Sequence, residues 1–425
     1  MRSSAGLDAG HPTTFLSHAH GRSIGSSSMR VAAVAVASLV FGCASAGAPA
    51  GPRDEPPAPK LGFRVMPSPT GTSSRTCAPR PRPEGLVLGF AGDVIAHDAV
   101  REAATRVDGG YATMLAGARA ALRDVDLAFV NLETPVAERV LRRGPMIFNA
   151  ADDLLAALRR TGFEVLWLAN NHAFDQGRDG LAGTLEATAR QGFVTVGAAP
   201  TLADACRPVM IERGGLTIAL LARTLVMNFH DGGQRGAPDV CMLAEGPLKR
   251  AAHAARTAGA DLVVASLHWG NEYERAPRRE QVDAAHRIVE AGVDLVIGHH
   301  PHVLQPVERV RTRRGTEAVV AYSLGNLLSN QGHDFDEHTA PPGAGDTRDG
   351  GILRVVVTKT PGGGITLDDV AAVPFWTHHG GSGEIAVVAA TARRSRVGKV
   401  LRVPLVDAAP GERTSGCGEP SAEQR

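Results

Sequence analysis

The sequence predicts an α/β fold, and three observations carry that reading. Short apolar runs alternate with amphipathic stretches of helical period from residue 85 onward. Later apolar runs follow one another without helices, and polar side chains collect where the early runs end. The strand candidates, in order, are LVLGFAG, LAFVNLE, EVLWLAN, FVTVG, LTIALLAR, LVVASLHW, LVIGHH and AVVAYSLGN. Between them AADDLLAALRRTG, GRDGLAGTLEATARQG and REQVDAAHRIVEAG read as helices. ILRVVVTK and ITLDDVAAVPFW then predict an antiparallel part of the sheet. The polar segment 329–350 is expected as a mobile loop or a lid.

The 425 residues suffice for one large domain or two ordinary ones, and an apolar fraction of 43% suits a packed core. A net charge of +1 argues against a nucleic-acid partner. The folded domain is expected over residues 83–410, after a Pro/Ala/Gly-rich linker (43–82) and before a disordered tail (411–425). The first 42 residues read as a dispensable extension plus a signal peptide. Residues 31–41, VAAVAVASLVF, are too short to span a bilayer but fit a signal-peptide core, with Met29-Arg30 as a minimal basic start. Met29 is therefore the expected true start. Val-Phe-Gly-Cys ending at Cys43 approximates a lipobox, so Cys43 is the expected lipidation site. That predicts an exported protein, lipid-anchored on the outer side of a bacterial membrane or in the periplasm. Plain secretion with cleavage near ASAGA and an uncleaved anchor are the alternatives. Cys77, Cys206, Cys241 and Cys417 show no zinc-like spacing; as two disulfides they allow three connectivities. A Cys77–Cys417 bond, tying the two ends of the domain together, is the favoured pairing, and free thiols are the alternative.

Chemistry collects at five strand ends: GD (92–93), NLE (131–133), ANNH (169–172), LHWG (267–270) and GHHPH (298–302). In α/β sheets the loops at carboxyl ends of strands converge into ligand sites. Each stretch has an ordinary explanation. Asp93 could cap a helix, Glu133 could be an exposed turn residue, Asn171 and His172 could satisfy turn backbone, and His268 could be a buried histidine. GHHPH is hardest to explain that way, because burying three imidazoles without partners is costly. Together, carboxylates, amide oxygens and imidazoles at separate strand ends match the donor set of a binuclear divalent-metal site. No cysteine is placed to join it, and no G-x-S-x-G elbow or P-loop occurs.

GDVIAH, NLETPV, LANNHAFDQGRDGL, SLHWGNEY, GVDLVIGHHPHVLQPVE and AYSLGNLL, in this order over about residues 86–330, closely resemble the CapA family. That family is linked to poly-γ-glutamate capsule synthesis and related to calcineurin-like metallophosphoesterases. The resemblance implies a four-layer α-β-β-α sandwich of the metallophosphoesterase type, with two divalent metal ions (Mn, Fe, Zn or Mg) at the strand ends. It implies Asp93, Glu133, Asn171, His268, His300 and His302 as metal ligands. Glu133 stands where a bridging aspartate is usual. His172 is implied as the general acid or the group that orients the leaving group. The usual Asp-x-His of the first motif is missing, and His97, four residues after Asp93, is placed in the surroundings rather than among the ligands. Asp175 and Gly177 are read as fixing the turn, with Asp175 hydrogen-bonding His172. His299 is placed behind the ligands, and Glu272, Tyr273 and Asn326 in the pocket wall.

The leading expectation is a metal-dependent protein that makes, exports or processes a surface polymer such as poly-γ-glutamate. It would cut or transfer at a phosphoester or γ-amide bond. Expected partners are a polyanionic surface polymer or its precursor, membrane synthase subunits, and the membrane itself through the lipid anchor. The rivals are a general periplasmic metallophosphoesterase and a non-catalytic accessory subunit of a membrane polymer synthase.

Overall fold

The computed structural model describes residues 84–408 except 141, 143, 145, 230–235 and 337. Met29, Cys43, Cys77, Cys417, the linker and the tail lie outside those residues.

The early apolar runs form the parallel core of one sheet. Strands β1 (Leu86–Val94), β2 (Leu127–Leu132), β3 (Val165–Trp167) and β4 (Val194–Val196) are parallel neighbours. The helix-free runs extend this sheet antiparallel on the other side of β1, through β14 (Asp349–Lys359), β15 (Ile365–His379) and β16 (Ile385–Ala389). In the second sheet β7 (Leu216–Thr224), β9 (Leu262–His268), β10 (Leu295–His299) and β12 (Glu317–Ala321) are parallel. Antiparallel β6 (Val209–Arg213) and β11 (Val307–Arg311) close its edges. A two-stranded ribbon joins β5 (Ala198–Ala199) to β8 (Asp239–Val240).

Side-chain direction shows how these layers stack. Leu86 faces Gly214 at the β6–β7 turn of the second sheet, whereas Gly89 faces Leu122 and Val125. Phe90, Phe129 and Trp167 stack on neighbouring strands, with ring centroids 4.6 and 5.2 Å apart. Ile218, Leu220, Val264 and Ile297 from the second sheet join the same core as the first. Their strand neighbours Ala219, Leu221, Val263 and Val296 point the other way, into a separate core with the apolar faces of α7 (Glu245–Thr257) and α8 (Arg279–Glu290). Helices α1 (Asp98–Arg106), α2 (Tyr111–Met114), α3 (Ala116–Ala121), α4 (Asp152–Thr161) and α5 (Gly177–Arg190) cover the first sheet. The result is a four-layer α-β-β-α sandwich. Short α6 (Leu202–Ala205) packs by the β5–β8 ribbon, and α9 (Arg394–Leu401) packs on β14 and β15 of the first sheet.

Local signals explain the elements. Helix α4 has Asp152 and Asp153 in its first turn, Arg159 and Arg160 in its last, and Gly162 with φ 117° beyond it, complementing the helix dipole and ending the helix. Among the described residues no helix is long and apolar enough to cross a membrane.

Two expectations need correction. AVVAYSLGN reads as one strand, but it divides into β12 and β13 (Asn326–Leu328), which belong to different sheets. The chain crosses at Gly325, with φ 64°, whose carbonyl accepts from the Asp93 amide at 2.9 Å. The crossing sets Asn326 beside Asp93 in register. Segment 329–350 is not wholly a free loop or lid. Ser329, Thr347 and Asp349 are buried, and residues 344–346 form a turn of 3-10 helix.

Cys206 and Cys241 form a disulfide, which leaves only the Cys77–Cys417 connectivity of the three for a second bond. Replacing both Cys206 and Cys241 with alanine opens a link across 35 residues and is expected to cost about 2–3 kcal/mol, read as a lower chemical-denaturation midpoint.

Candidate metal centre

Asp93 is placed by a close crossing of two strands. A Cβ on Gly92 would lie 2.0 Å from the Gly325 carbonyl oxygen, so only glycine lets β1 and β13 meet here. Asp93 is fully buried. Its Oδ1 accepts from Asn131 Nδ2 at 2.8 Å and lies 2.8 Å from His299 Nδ1, and its Oδ2 lies 3.1 Å from His302 Nδ1. Burial alone would raise its pKa, but the hydrogen bonds with His299 and His302 outweigh burial and hold it well below the ordinary range.

Glu133 leaves the end of β2 and is equally buried. Its Oε2 accepts from Asn131 Nδ2 at 3.2 Å, while Oε1 has no hydrogen-bond partner among the described residues. Oε1 lies 3.5 Å from His268 Nε2 and 3.8 Å from His302 Nε2. Burial raises the Glu133 pKa well above the carboxylate range, and Asp93, Glu272 and Asp175 push it further. His268 is driven the opposite way, well below the imidazole range, by burial and then by His300. Neutral His268 is therefore no counter-ion, although it stands at ion-pair distance. His300 is likewise held down to about 4, chiefly by burial.

The histidine loop is strained. His300 and His302 have φ of 95° and 58°, a left-handed backbone that side chains other than glycine disfavour, and Tyr273 beside them has 65°. Gly298 makes the loop possible, because a Cβ there would sit 1.9 Å from the Tyr322 carbonyl oxygen. Gly298→Ala is expected to destabilise the fold by about 2–3 kcal/mol, measured by denaturant unfolding, since backbone must move to admit a methyl group.

Among the described residues three groups of side chains could hold a metal ion, each with donor atoms within 4.8 Å of one another: Glu133, His268 and His300; Asp93, Glu133 and His302; Glu272, His300 and His302. The first two share Glu133. The residues fit divalent cations on the structure's own terms. Glu133 Oε1, His268 Nδ1, His299 Nε2 and His300 Nδ1 are buried without hydrogen-bond partners among the described residues, and a carboxylate crowded by carboxylates faces imidazoles too weakly basic to compensate it.

The other residues singled out in the sequence surround this cluster. Asn171 Oδ1 is 2.8 Å from His268 Nε2, and its Nδ2 donates to Asn228 Oδ1 at 3.2 Å. His172 lies outside the three groups, with Nδ1 2.8 Å from Asp175 Oδ2. That same oxygen accepts from the Phe148 amide at 2.7 Å, and the Phe148 ring packs on His172 with centroids 4.4 Å apart. His97 also lies outside the groups. Its Nδ1 accepts from the Asn330 amide at 3.3 Å, and its pKa is pushed down to about 4 by burial and by His302. Asn326 Oδ1 is 3.1 Å from His302 Nδ1, and its Nδ2 donates to Gln331 and to the Thr347 carbonyl. Glu272 is exposed at the rim, and burial with Glu272 nearby pushes the Tyr273 phenol up to about 12. From Glu272 an open cleft of about 540 Å³ runs past Tyr273 and Arg275 to Pro341 and Pro342.

Sequence reasoning assigned no role to Asn131, Asn170 and Asn228. Asn131 joins Asp93 to Glu133, and Asn170 Nδ2 donates to Asn131 Oδ1 and the Leu132 carbonyl. An asparagine inside the apolar run LAFVNL was a signal for the first. Asn228, 57 residues from Asn171, had none.

Residues 87–331 match the family model described as bacterial capsule synthesis protein PGA_cap. The chain belongs to that family. Among PGA_cap relatives, it is 38% identical over 176 residues to the PGA biosynthesis protein CapA of Bacillus subtilis, covering 41% of this chain and 45% of that protein. It is 30% identical over 261 residues to the capsule biosynthesis protein CapA of Bacillus anthracis, covering 59% and 61%. A third relative, from Mycobacterium tuberculosis, is named "Probable polyglutamine synthesis accessory protein" and is 30% identical over 48% of this chain and 56% of its own length. The chain thus spans about half of the curated relatives it matches. Among solved structures there are distant likenesses to Haemophilus influenzae NAD nucleotidase (12% identity, 76% of this chain, 57% of that chain, TM-score 0.42) and to the calcineurin-like phosphoesterase YfkN from Bacillus subtilis (14%, 75%, 95%, TM-score 0.40).

Proposed function

We infer that this PGA_cap protein is an exported, metal-dependent hydrolase or transferase that processes an anionic surface polymer of the capsule type. The observation that supports it most is Glu133, a buried carboxyl group whose Oε1 has no hydrogen-bond partner among the described residues, shared by two overlapping groups of side chains that could hold a metal. In this reading Asp93, Glu133, Asn171, His268, His300 and His302 are the residues that would hold two divalent cations. When bound, such cations supply Lewis acidity at the reacting centre and lower the pKa of water.

The chain's own residues do the rest. Asp175 holds His172 at Nδ1, which leaves Nε2 to give a proton to the leaving group. Phe148 packs on the same ring and limits its rotation. Asn326 holds His302 and Asn131 holds both carboxylates, so the donors are oriented before substrate arrives. The polymer enters along the cleft between Glu272 and Pro342. Export with Cys43 lipidated would place this chemistry at the membrane surface, beside synthase subunits.

The test is an assay of the metal-loaded protein on poly-γ-glutamate and on a model phosphodiester. Shortening or transfer of the polymer is expected, and turnover of the phosphodiester alone would favour a general metallophosphoesterase. A second reading, an accessory subunit without turnover, is favoured by the name of the Mycobacterium relative. Metal binding with no turnover on either bond, together with a co-purifying membrane partner, would establish it instead.

A further inference from the structure

Arg275, on the wall of the cleft, belongs to a cluster of arginines that the metal chemistry does not use. Arg275, on the cleft wall three residues from Glu272, pairs through Nε with Asp346 Oδ2 at 2.5 Å. Arg396 pairs with the same aspartate and, through Nε, with Asp349 Oδ2 at 3.1 Å. Arg393 also reaches Asp349, at 3.1 Å. Arg348 forms no ion pair among the described residues. Its Nε donates to the Thr377 carbonyl, and its guanidinium lies over the Trp376 ring at 3.9 Å. Arg393 covers that same ring at 3.6 Å, so Trp376 holds two cations against it.

Three of the four arginines thus share two aspartates while Arg348 pairs with none, so the cluster holds more cations than anions. The crowding is felt within the cluster. Burial and then Arg275 lower the Arg396 pKa, and burial and then Arg393 lower that of Arg348. Keeping cations together with too few anions is unfavourable unless something else brings negative charge. The guanidiniums are nonetheless accessible, with Arg275 64%, Arg396 44% and Arg393 35% exposed. Stacking fixes the planes of Arg348 and Arg393 at little further entropic cost, and planar guanidinium is the group that takes a carboxylate through two parallel hydrogen bonds. The metal groups and this cluster meet along one line. Glu272 belongs to a metal group with His300 and His302 and also begins the cleft, whose wall includes Arg275.

The geometry points to a subsite in which Arg275, Arg348, Arg393 and Arg396 hold the carboxylates of an anionic polymer chain that threads the cleft toward the metal cluster. It rests on the polymer-processing reading above and gives that reading its specificity for acidic chains. The subsite acts by binding and needs no chemistry of its own. Neutral polymers of similar length lack the charge to engage it.

The experiment titrates the full chain, stripped of metal by chelator, with poly-γ-glutamate at low and high salt. Arg275→Gln is expected to weaken binding several-fold, and Arg275→Gln with Arg348→Gln about tenfold. Arg275→Lys should restore only part of the low-salt affinity, since it keeps the charge but not the paired hydrogen bonds, and Arg160→Gln, on the outer helix layer, should change nothing. Arg275 is well exposed, so its single variant remains informative should the double variant fold poorly. Parent-like affinity in Arg275→Gln and the double variant would overturn the subsite, as would equal loss in Arg160→Gln. Tighter binding of polyphosphate than of polyglutamate would overturn its assignment to a carboxylate chain. The two readings fail separately. A protein that takes up no metal yet binds polymer through these arginines would sink the metal-dependent reading and support the subsite, whereas a metal-loaded protein whose variants bind polymer unchanged would do the reverse.

Discussion

His172→Ala is expected to lower turnover about 10²–10⁴-fold while leaving the bound metal unchanged. Both halves of that result follow from position. His172 belongs to none of the three groups of metal-binding side chains, so its loss removes no donor. Its Nδ1 is fixed 2.8 Å from the buried Asp175 carboxyl, which itself is fixed by the Phe148 amide at 2.7 Å. In the proposed reading that arrangement leaves Nε2, 3.4 Å from Asn228 Nδ2, as the nitrogen that faces a substrate. Asp175→Asn should therefore lower kcat by a smaller factor with little change in KM, because the ring remains but its orientation and tautomer are no longer held. If His172→Ala stripped the metal as well, His172 would be a ligand, and the division of roles drawn here would be wrong.

Glu133→Gln is expected to act in opposite directions on the metal-loaded and metal-free protein. With metal, the loss of the one carboxylate common to two groups should lower turnover at least about 100-fold and reduce the bound metal. Without metal, the same change removes a buried carboxyl group that folding forces to keep its proton, and the chelated variant should be more stable than the chelated parent by about 1–3 kcal/mol. The pH dependence has a definite sign. Burial and the neighbouring carboxylates raise the folded pKa of Glu133 above its ordinary 4.5, so the folded chain holds that proton more tightly than the unfolded chain does. Its stabilising contribution is present below about 4.5 and is lost as pH rises through the higher folded value. The advantage of the glutamine variant should accordingly widen as pH climbs from 4.5 toward neutrality. Asp93 works in the opposite sense, its lowered pKa contributing stability that is lost in acid, but it is common to both proteins and cancels in their difference. A chelated variant less stable than its parent at neutral pH would mean that Glu133 already has a compensating partner.

The strands were legible in the sequence because their apolar runs are continuous and end in abrupt polar groups. LVLGFAGD, LAFVNLE and LVIGHHPH announce both a buried strand and what waits at its tip. Long-range placement was less legible. Nothing in AVVAYSLGN says that it serves two sheets, because the switch depends on Gly325 meeting Gly92 from a distant part of the chain. The residues that the motifs name, from Asp93 to His302, do come together at one end of the sandwich. The support around them was partly hidden. Asn228 reaches Asn171 and His172 from a segment with no motif, and Asn326 reaches His302 only through the unforeseen crossing. The arginine cluster could not be read at all, since Arg275, Arg348 and Arg393 are brought together by the packing of three separate segments.

A divalent-metal site organised by Glu133 can be read out by elemental analysis of the protein after metal loading and removal of excess. The parent is expected to retain about two divalent cations per chain and Glu133→Gln clearly fewer, with His172→Ala matching the parent. A parent chain that retains no divalent cation, or a Glu133→Gln variant that retains as much as the parent, would contradict it.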